Sequence, residues 1–224
     1  VPKLVERLVT PVCVDAITKL PAEPSVNVTN GRCPDGFEPE FSPIEDINIG
    51  LISSSLGAVG RTNVCGTDGR PNNQDLGRLL HRSTPNTANN DIATYQGIGF
   101  LAWDPAGERT CPGQPPGGDT CAGTADSGQL IDTLRSMVAG VGEIGCGFEE
   151  TLESAYRFLV DPTPWAGFAA AGVPDGTDDV LLAQRQAFLR PDSLVAVVLL
   201  TDENDCSLRA DGIGAFLSDR DQRM

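Results

Sequence analysis

Histidine is nearly missing from this sequence: His81 is the only one in 224 residues. A serine or cysteine nucleophile needs a nearby base. The serine run Ser53–Ser55 has no Gly-x-Ser-x-Gly elbow around it. His81 itself sits in the polar stretch "LLHRSTPN" and is expected to face solvent. Triad hydrolysis is therefore disfavoured. No two cysteines form a CxxC knuckle, which argues against a structural zinc site. Positive charge is also scarce, with 16 Lys and Arg against 31 Asp and Glu, a net charge of −15 and a pI near 4.3. Such a surface repels phosphate backbones and anionic membranes, so nucleic acid is not an expected partner. No run approaches the roughly 20 apolar residues that cross a bilayer. The glycine turns "GAVG", "GTDGRP" and "PGGDT" lack the Lys and Ser/Thr of a phosphate-binding loop. Aromatics make up only 5% of the chain, so its core rests on Val, Leu, Ile and Ala.

What the chain does have is Gly, Pro and cysteine. With 25 Gly and 17 Pro, it predicts long irregular connections between a few regular elements. Seven cysteines stand at 13, 33, 65, 111, 121, 146 and 206. Wide spacing among Gly, Pro, Asn and Asp reads as a disulfide set in an exported protein. Cys13 and Cys33 lie near the two ends of a predicted surface loop. Cys111 and Cys121 bracket "PGQPPGGDT" and suit a small disulfide loop. An odd count leaves one thiol free or paired outside the chain. The sequence begins at Val1, with no signal peptide, and ends in polar "SDRDQRM". Both ends are read as cut, in a processed product or an excised fragment.

Periodicity predicts a helix from Lys3, broken near Pro11. It predicts a strand over Ile47–Ser53, a helical hint at "DLGRLL", and a short strand with a turn in Tyr95–Gly107. Leu130, Ile131, Leu134, Met137, Val138 and Val141 predict a helix with one apolar face. "GCGFEETLESAYRFLV" predicts a second, with Glu149 and Glu150 in its first turn and Phe148, Leu152, Ala155 and Leu159 as its stripe. "DPTPWAGFAAAGVPDG" reads as a loop. A third helix is capped by Thr177 or Asp178 and stopped by Pro191. "PDGTDD" within this region is a turn and cap rather than a calcium loop, since it lacks alternating oxygen ligands. Ser193–Leu200 is wholly apolar after its first residue, the pattern of a strand buried on both faces of a parallel sheet. Strands separated by helices predict an α/β fold.

That run ends in "TDENDCS". In open α/β sheets ligands gather beyond the carboxyl ends of the strands. Carboxylates converging there suit a hard divalent cation, Mg or Ca. Asp202, directly after the run, is the first candidate ligand. Asp205 and Glu203 are further candidates, or face solvent. The alternative for Asp202 is a cap on whatever helix follows.

"LLTDENDCS" resembles the strand and loop of a von Willebrand factor type A domain. "FLRPDSLVAVVLLTDENDCS", with "GCGFEETLESAYRFL" before it, is similar more narrowly to exported and lipoprotein von Willebrand A-like proteins of myxobacteria and their relatives. "DINIGLISSSLG" resembles a second strand of the same proteins. The resemblance implies a three-layer α/β fold, a mostly parallel central sheet flanked by helices. It implies a single domain over 1–224, incomplete at both ends, with a loop-rich insertion at 57–127. The family's adhesion site joins Asp-x-Ser-x-Ser, a Thr on a second loop and a later Asp. Asp202 matches the last. Asp-x-Ser-x-Ser is absent, since neither "DSGQL" nor "PDSLV" fits, and it is expected upstream of Val1.

The implied function is a non-enzymatic, extracytoplasmic binding or adhesion module. It would engage a protein or cell-surface ligand at the strand ends, with a divalent cation and without membrane insertion by this chain. The alternative is a structural surface or assembly component with a degenerate metal site. A metal-dependent hydrolase built on Asp202, Glu203 and Asp205 has the weakest support. The implied sheet makes the loops of Cys146 and Cys206 neighbours and suggests their disulfide, the alternative being that each pairs with another loop cysteine. Non-reduced peptide mapping is expected to recover Cys146 joined to Cys206; Cys146 joined elsewhere removes that pairing.

Overall fold

A computed structural model describes residues 1–29, 31–57, 75–85, 91–109, 123–143, 149–170, 173–202 and 204–207. The chain divides into two compact units. The first holds Val1–Ile49 and Leu101–Arg135; the second holds Gly50–Phe100 and Ser136–Met224.

In the first unit, helix α1 (Pro2–Val9) starts with proline in its first turn, where a missing N–H costs nothing. Val5 and Val9, one turn apart, form its buried edge. Pro11 prevents continuation, and the chain straightens into β1 (Cys13–Asp15). β1 pairs antiparallel with β2 (Phe37–Pro39), Val14 opposite Glu38. The long connection is tied by the Cys13–Cys33 disulfide, which closes a separation of 20 residues. β3 (Ile47–Gly50) forms a second ladder with β4 (Phe100–Trp103), whose four residues are all buried. Trp103 donates its indole N–H to Ile44 O at 2.7 Å, satisfying the one polar atom of a buried ring.

The second unit is organised around buried charge. Helix α4 (Asp179–Phe188) is capped by Asp178, whose Oδ1 accepts from Leu181 N at 3.1 Å. The same fully buried carboxylate accepts from Arg78 Nε at 2.9 Å and Arg157 Nη2 at 3.3 Å. Arg157 is itself 1% exposed. Its Nε donates to Leu76 O at 2.7 Å, and its guanidinium lies 3.8 Å from the centre of the Trp165 ring. A second buried pair joins Arg82 Nη1 to Asp75 at 2.7 Å, with Ser53 donating its hydroxyl to the same carboxylate. Arg82 Nε reaches Gly140 O, near the end of α2 (Ser127–Val141). A Cβ at Gly140 would stand 1.8 Å from Arg82 O, so only glycine permits this approach. Gln184 on α4 takes the place of a neighbouring strand: its side chain bonds both Leu79 N and Leu79 O. Phe188 packs edge-on against both Phe100 and Phe158.

Several elements match the sequence reading. α2 buries Leu130, Ile131, Leu134 and Met137 of its predicted stripe, though Val138 is exposed and Val141 only half-buried; α4 has its Asp178 cap; and the disulfide candidates Cys13 and Cys33 are bonded to each other. Others do not. The three-layer fold with a mostly parallel central sheet is overturned. Among the described residues there are three two-stranded ladders, and β1–β2 and the pair Gly167–Ala170 with Val173–Asp175 are antiparallel. Ser193–Leu200 belongs to no ladder and is not buried; Leu194 is 94% exposed. Apolar, β-branched composition favours extended backbone, but a strand exists only where a neighbour takes its hydrogen bonds. The predicted loop at 161–176 contains a hairpin, β5 (Gly167–Ala170) with β6 (Val173–Asp175). "DLGRLL" is not helical, because Leu76 and Gly77 take positive φ. His81 is half-buried, its ring nitrogen 3.0 Å from Ile92 O.

Helix α3 (Thr151–Leu159) departs furthest. The expected stripe fails at Leu152, which is exposed, while Ser154, Arg157 and Phe158 are buried. The polar face turns inward because Asp178 and the carbonyls of Leu76 and Trp165 receive Arg157 there. Replacing Asp178 with Ala removes the α4 cap and leaves Arg157 buried without its carboxylate. Loss of about 3–5 kcal/mol is expected in urea unfolding, against under about 1 kcal/mol for exposed Asp132→Ala.

Candidate functional site

The acidic loop after Leu200 docks onto the start of α3. A helix start exposes backbone N–H groups that need acceptors. Glu150 occupies the cap position but makes no capping bond with its side chain. The acceptors come from the loop instead. Leu152 N donates to Asp205 Oδ1 at 3.0 Å, and Glu153 N donates to Ser207 Oγ at 2.8 Å. Ser207 in turn gives its hydroxyl to Asp205 Oδ1 at 2.8 Å and its backbone N–H to Asp205 Oδ2 at 3.2 Å. Cys206 N donates to Glu149 O at 2.7 Å. From the other side, Glu150 N donates to Ser54 O at 3.0 Å, and the Ser54 hydroxyl donates to the Glu149 carboxylate. Asp205 is thus a helix cap supplied from 53 residues away in the chain. A carboxylate there also meets the positive end of the helix dipole.

Two carboxyl groups at this junction are driven in opposite directions. Burial pushes Asp205 up, but bonds from Leu152 N–H, the Ser207 hydroxyl, Ser207 N–H and Thr151 N–H outweigh it and hold the group below the ordinary aspartate range. Glu150 is 2% exposed. Its burial, with Glu153 and Asp205 adding like charge, pushes it up to about 8. At neutral pH Asp205 is ionised and Glu150 is mainly protonated, which keeps the pair from repelling.

The expected site residues do not converge. Asp202 is exposed and lies outside the α3 contact. Asp205 is held, but its oxygens already accept N–H and O–H donors. Glu203 and Cys146 lie outside the described residues, as do Cys65, Cys111 and Cys121. Among the described residues no group of three or more His, Cys, Asp or Glu is placed to hold a metal ion. Cys206 carries a free, exposed thiol, although its loop does meet the Glu149 loop as the resemblance implied. Sequence reasoning missed Ser54, Glu150 and Ser207. One signal was present: Asp205 and Ser207, two apart, are a pair that bonds locally and caps helices.

No family model, no curated protein and no solved structure matches the chain.

The junction has a pH signature. A buried acid with a raised value stabilises the fold fully below its unfolded value of 4.5, and that contribution is lost as pH rises to about 8. Asp205, lowered, contributes above its ordinary value of 3.8 and loses that only as pH falls through its lowered value. Wild-type stability is thus expected to fall between pH 5 and pH 8, by an amount on the order of a few kcal/mol. Glu150→Gln is expected to flatten that slope; parallel urea profiles for the two proteins would refute the assignment.

Proposed function

We propose that this chain is a non-enzymatic binding module of an extracytoplasmic protein, engaging a protein or surface ligand through the loop 202–207. One observation carries this: Asp205 and Ser207 fix the loop to α3, so that Asp202 and Asn204 stand exposed on an anchored support. A loop held at its end loses less conformational freedom when it binds. Net charge of −15 and an exposed carboxylate at the tip favour a ligand presenting basic groups. The Cys13–Cys33 disulfide supports an oxidising compartment. Binding of this kind needs no resident cation, since Asp205 already has a structural role. The resemblance to von Willebrand A-like proteins points to the same class of activity and adds the cation.

A second possibility, a structural assembly component, is favoured by a different observation, the exposed apolar run Leu194–Leu200.

Two measurements test the binding role. The immobilised chain is expected to retain a ligand from the envelope fraction of the producing cells. Asp202→Ala abolishes that retention and Asp132→Ala leaves it unchanged; equal retention by all three sinks the proposal. Calorimetric titration with magnesium, manganese and calcium is expected to show no saturable binding. Saturable binding that disappears in Asp202→Ala would establish the cation-dependent form instead.

A further inference from the structure

Helix α3 shows solvent the wrong side. Its exposed residues are Leu152 and Tyr156, 53% and 47% exposed, joined at the C-cap by Val160 at 62%. Ser154 and Arg157 are buried. An amphipathic helix ordinarily turns its polar side to water. Here Asp178 and the carbonyls of Leu76 and Trp165 hold Arg157 inside, so the rotation of α3 is fixed from within. Leu152, Tyr156 and Val160 follow at four-residue spacing and share one face. Ala155 and Leu159, half-buried, border the same row. At 1.5 Å of rise per residue the row is about 12 Å long.

The shape of the row suits a second helix. Side chains spaced by four form a ridge that seats in the groove of another helix. The backbone along it is bonded within α3, so it offers no edge to a strand. α4 packs on a different side, with Phe158 edge-on to Phe188 and Arg185 donating to the carbonyls of Arg157 and Phe158.

Charge around the row selects the partner. Asp205 sits at its start, with Oδ1 3.0 Å from Leu152 N, and the Glu149 carbonyl accepts from Cys206 N in the same loop. Glu153 follows Leu152 on α3, and Asp161 closes the far end, its N–H donating to Tyr156 O at 3.1 Å. All four are acids. Arg157, the one basic residue of α3, is buried against Asp178. A second copy of this chain would set acids against acids, and an anionic lipid surface would be repelled likewise. A partner with Lys or Arg beside its apolar residues is complementary at both ends of the row. Tyr156 adds an aromatic ring with a hydroxyl, the kind of side chain that anchors interfaces.

We propose that the outward row Leu152, Tyr156 and Val160 is a docking surface for an amphipathic helix of a partner protein, with Lys or Arg flanking the apolar stripe of that helix. This goes beyond the binding role of loop 202–207 and does not depend on what Asp202 retains.

Fluorescence anisotropy with the full chain tests the docking. The probe is a labelled peptide of about 18 residues, long enough to form a helix, with Leu on one face and Lys on the other. Saturable binding is expected, weakened by added salt because exposed charges are screened. The same peptide with Glu in place of every Lys is expected not to bind. Absence of saturable binding by the Lys peptide, or equal binding of the two, overturns the proposal.

Leu152→Gln combined with Tyr156→Gln removes most of the row and keeps helix formation favourable. It is expected to weaken binding by about tenfold or more, given the apolar area lost from contact. Unchanged affinity would place the peptide elsewhere on the acidic surface and refute the site. Both side chains are about half exposed, so the urea midpoint is expected to stay near that of the wild type. Where it does not, Val160→Gln, beyond the last turn of α3, gives the same reading on folded protein. Pelleting with phosphatidylcholine vesicles that the double variant abolishes would assign the row to lipid. A dimer in sedimentation velocity that the double variant abolishes would assign it to a second copy. Either result rules out the partner helix. Retention of a ligand through Asp202 is a separate readout, and its failure leaves the anisotropy result standing.

Discussion

The buried carboxylate of Asp178 is the constraint on which the second unit depends. It starts α4, receives Arg78 from a loop 100 residues earlier and receives Arg157 from α3. A charge with no solvent access must be neutralised and hydrogen-bonded, or it costs several kcal/mol. Each of its partners is thereby fixed in place. Arg157 then meets a second demand, because it too is buried. Burial pulls its pKa down while Asp178 pushes it up. The carbonyls of Leu76 and Trp165 accept its Nε and Nη2, and the Trp165 ring faces the guanidinium. Asp75 and Arg82 repeat the device on a smaller scale, anchoring Ser53 and the end of α2.

This polar interior explains how α3 presents its start. With Arg157 and Ser154 directed inward, Leu152 and Tyr156 face out, and Glu150, one turn before Ser154, is drawn into the buried face. A carboxyl in that position is kept neutral, so it is a poor cap for its own helix. Asp205 and Ser207 take over the capping from the loop beyond the apolar run. The acidic loop is therefore fixed by a requirement of α3 rather than by the strand that leads into it. Leu194–Leu200 connects α4 to the anchored loop and, among the described residues, belongs to no ladder.

Composition set expectations about classes of activity without any structure. One histidine, a net charge of −15 and no CxxC are facts of the chain that folding cannot change. Local signals were legible as well. Pro2 and Pro11 bound α1, Asp178 begins α4, and four of the six residues in the predicted α2 stripe are buried. These are short-range effects, in which a residue acts on neighbours within one or two turns. The Cys13–Cys33 bridge was also within reach, because one loop brings both ends together.

Pairing and partner choice lay outside that range. The sequence determined that Ser193–Leu200 is apolar and prefers extended backbone; only the tertiary structure decided that, among the described residues, no strand pairs with it, because hydrogen-bond partners come from other parts of the chain. It determined that Asp202 and Asp205 follow that run. The fold decided that Asp205 serves a helix start 53 residues away while Asp202 faces solvent. It determined that α3 is amphipathic, and the fold decided that Ser154 and Arg157 join Phe158 on the buried side. A buried arginine offers more to a carboxylate and two carbonyls than leucine offers to the same space, and that comparison exists only once the partners are in position.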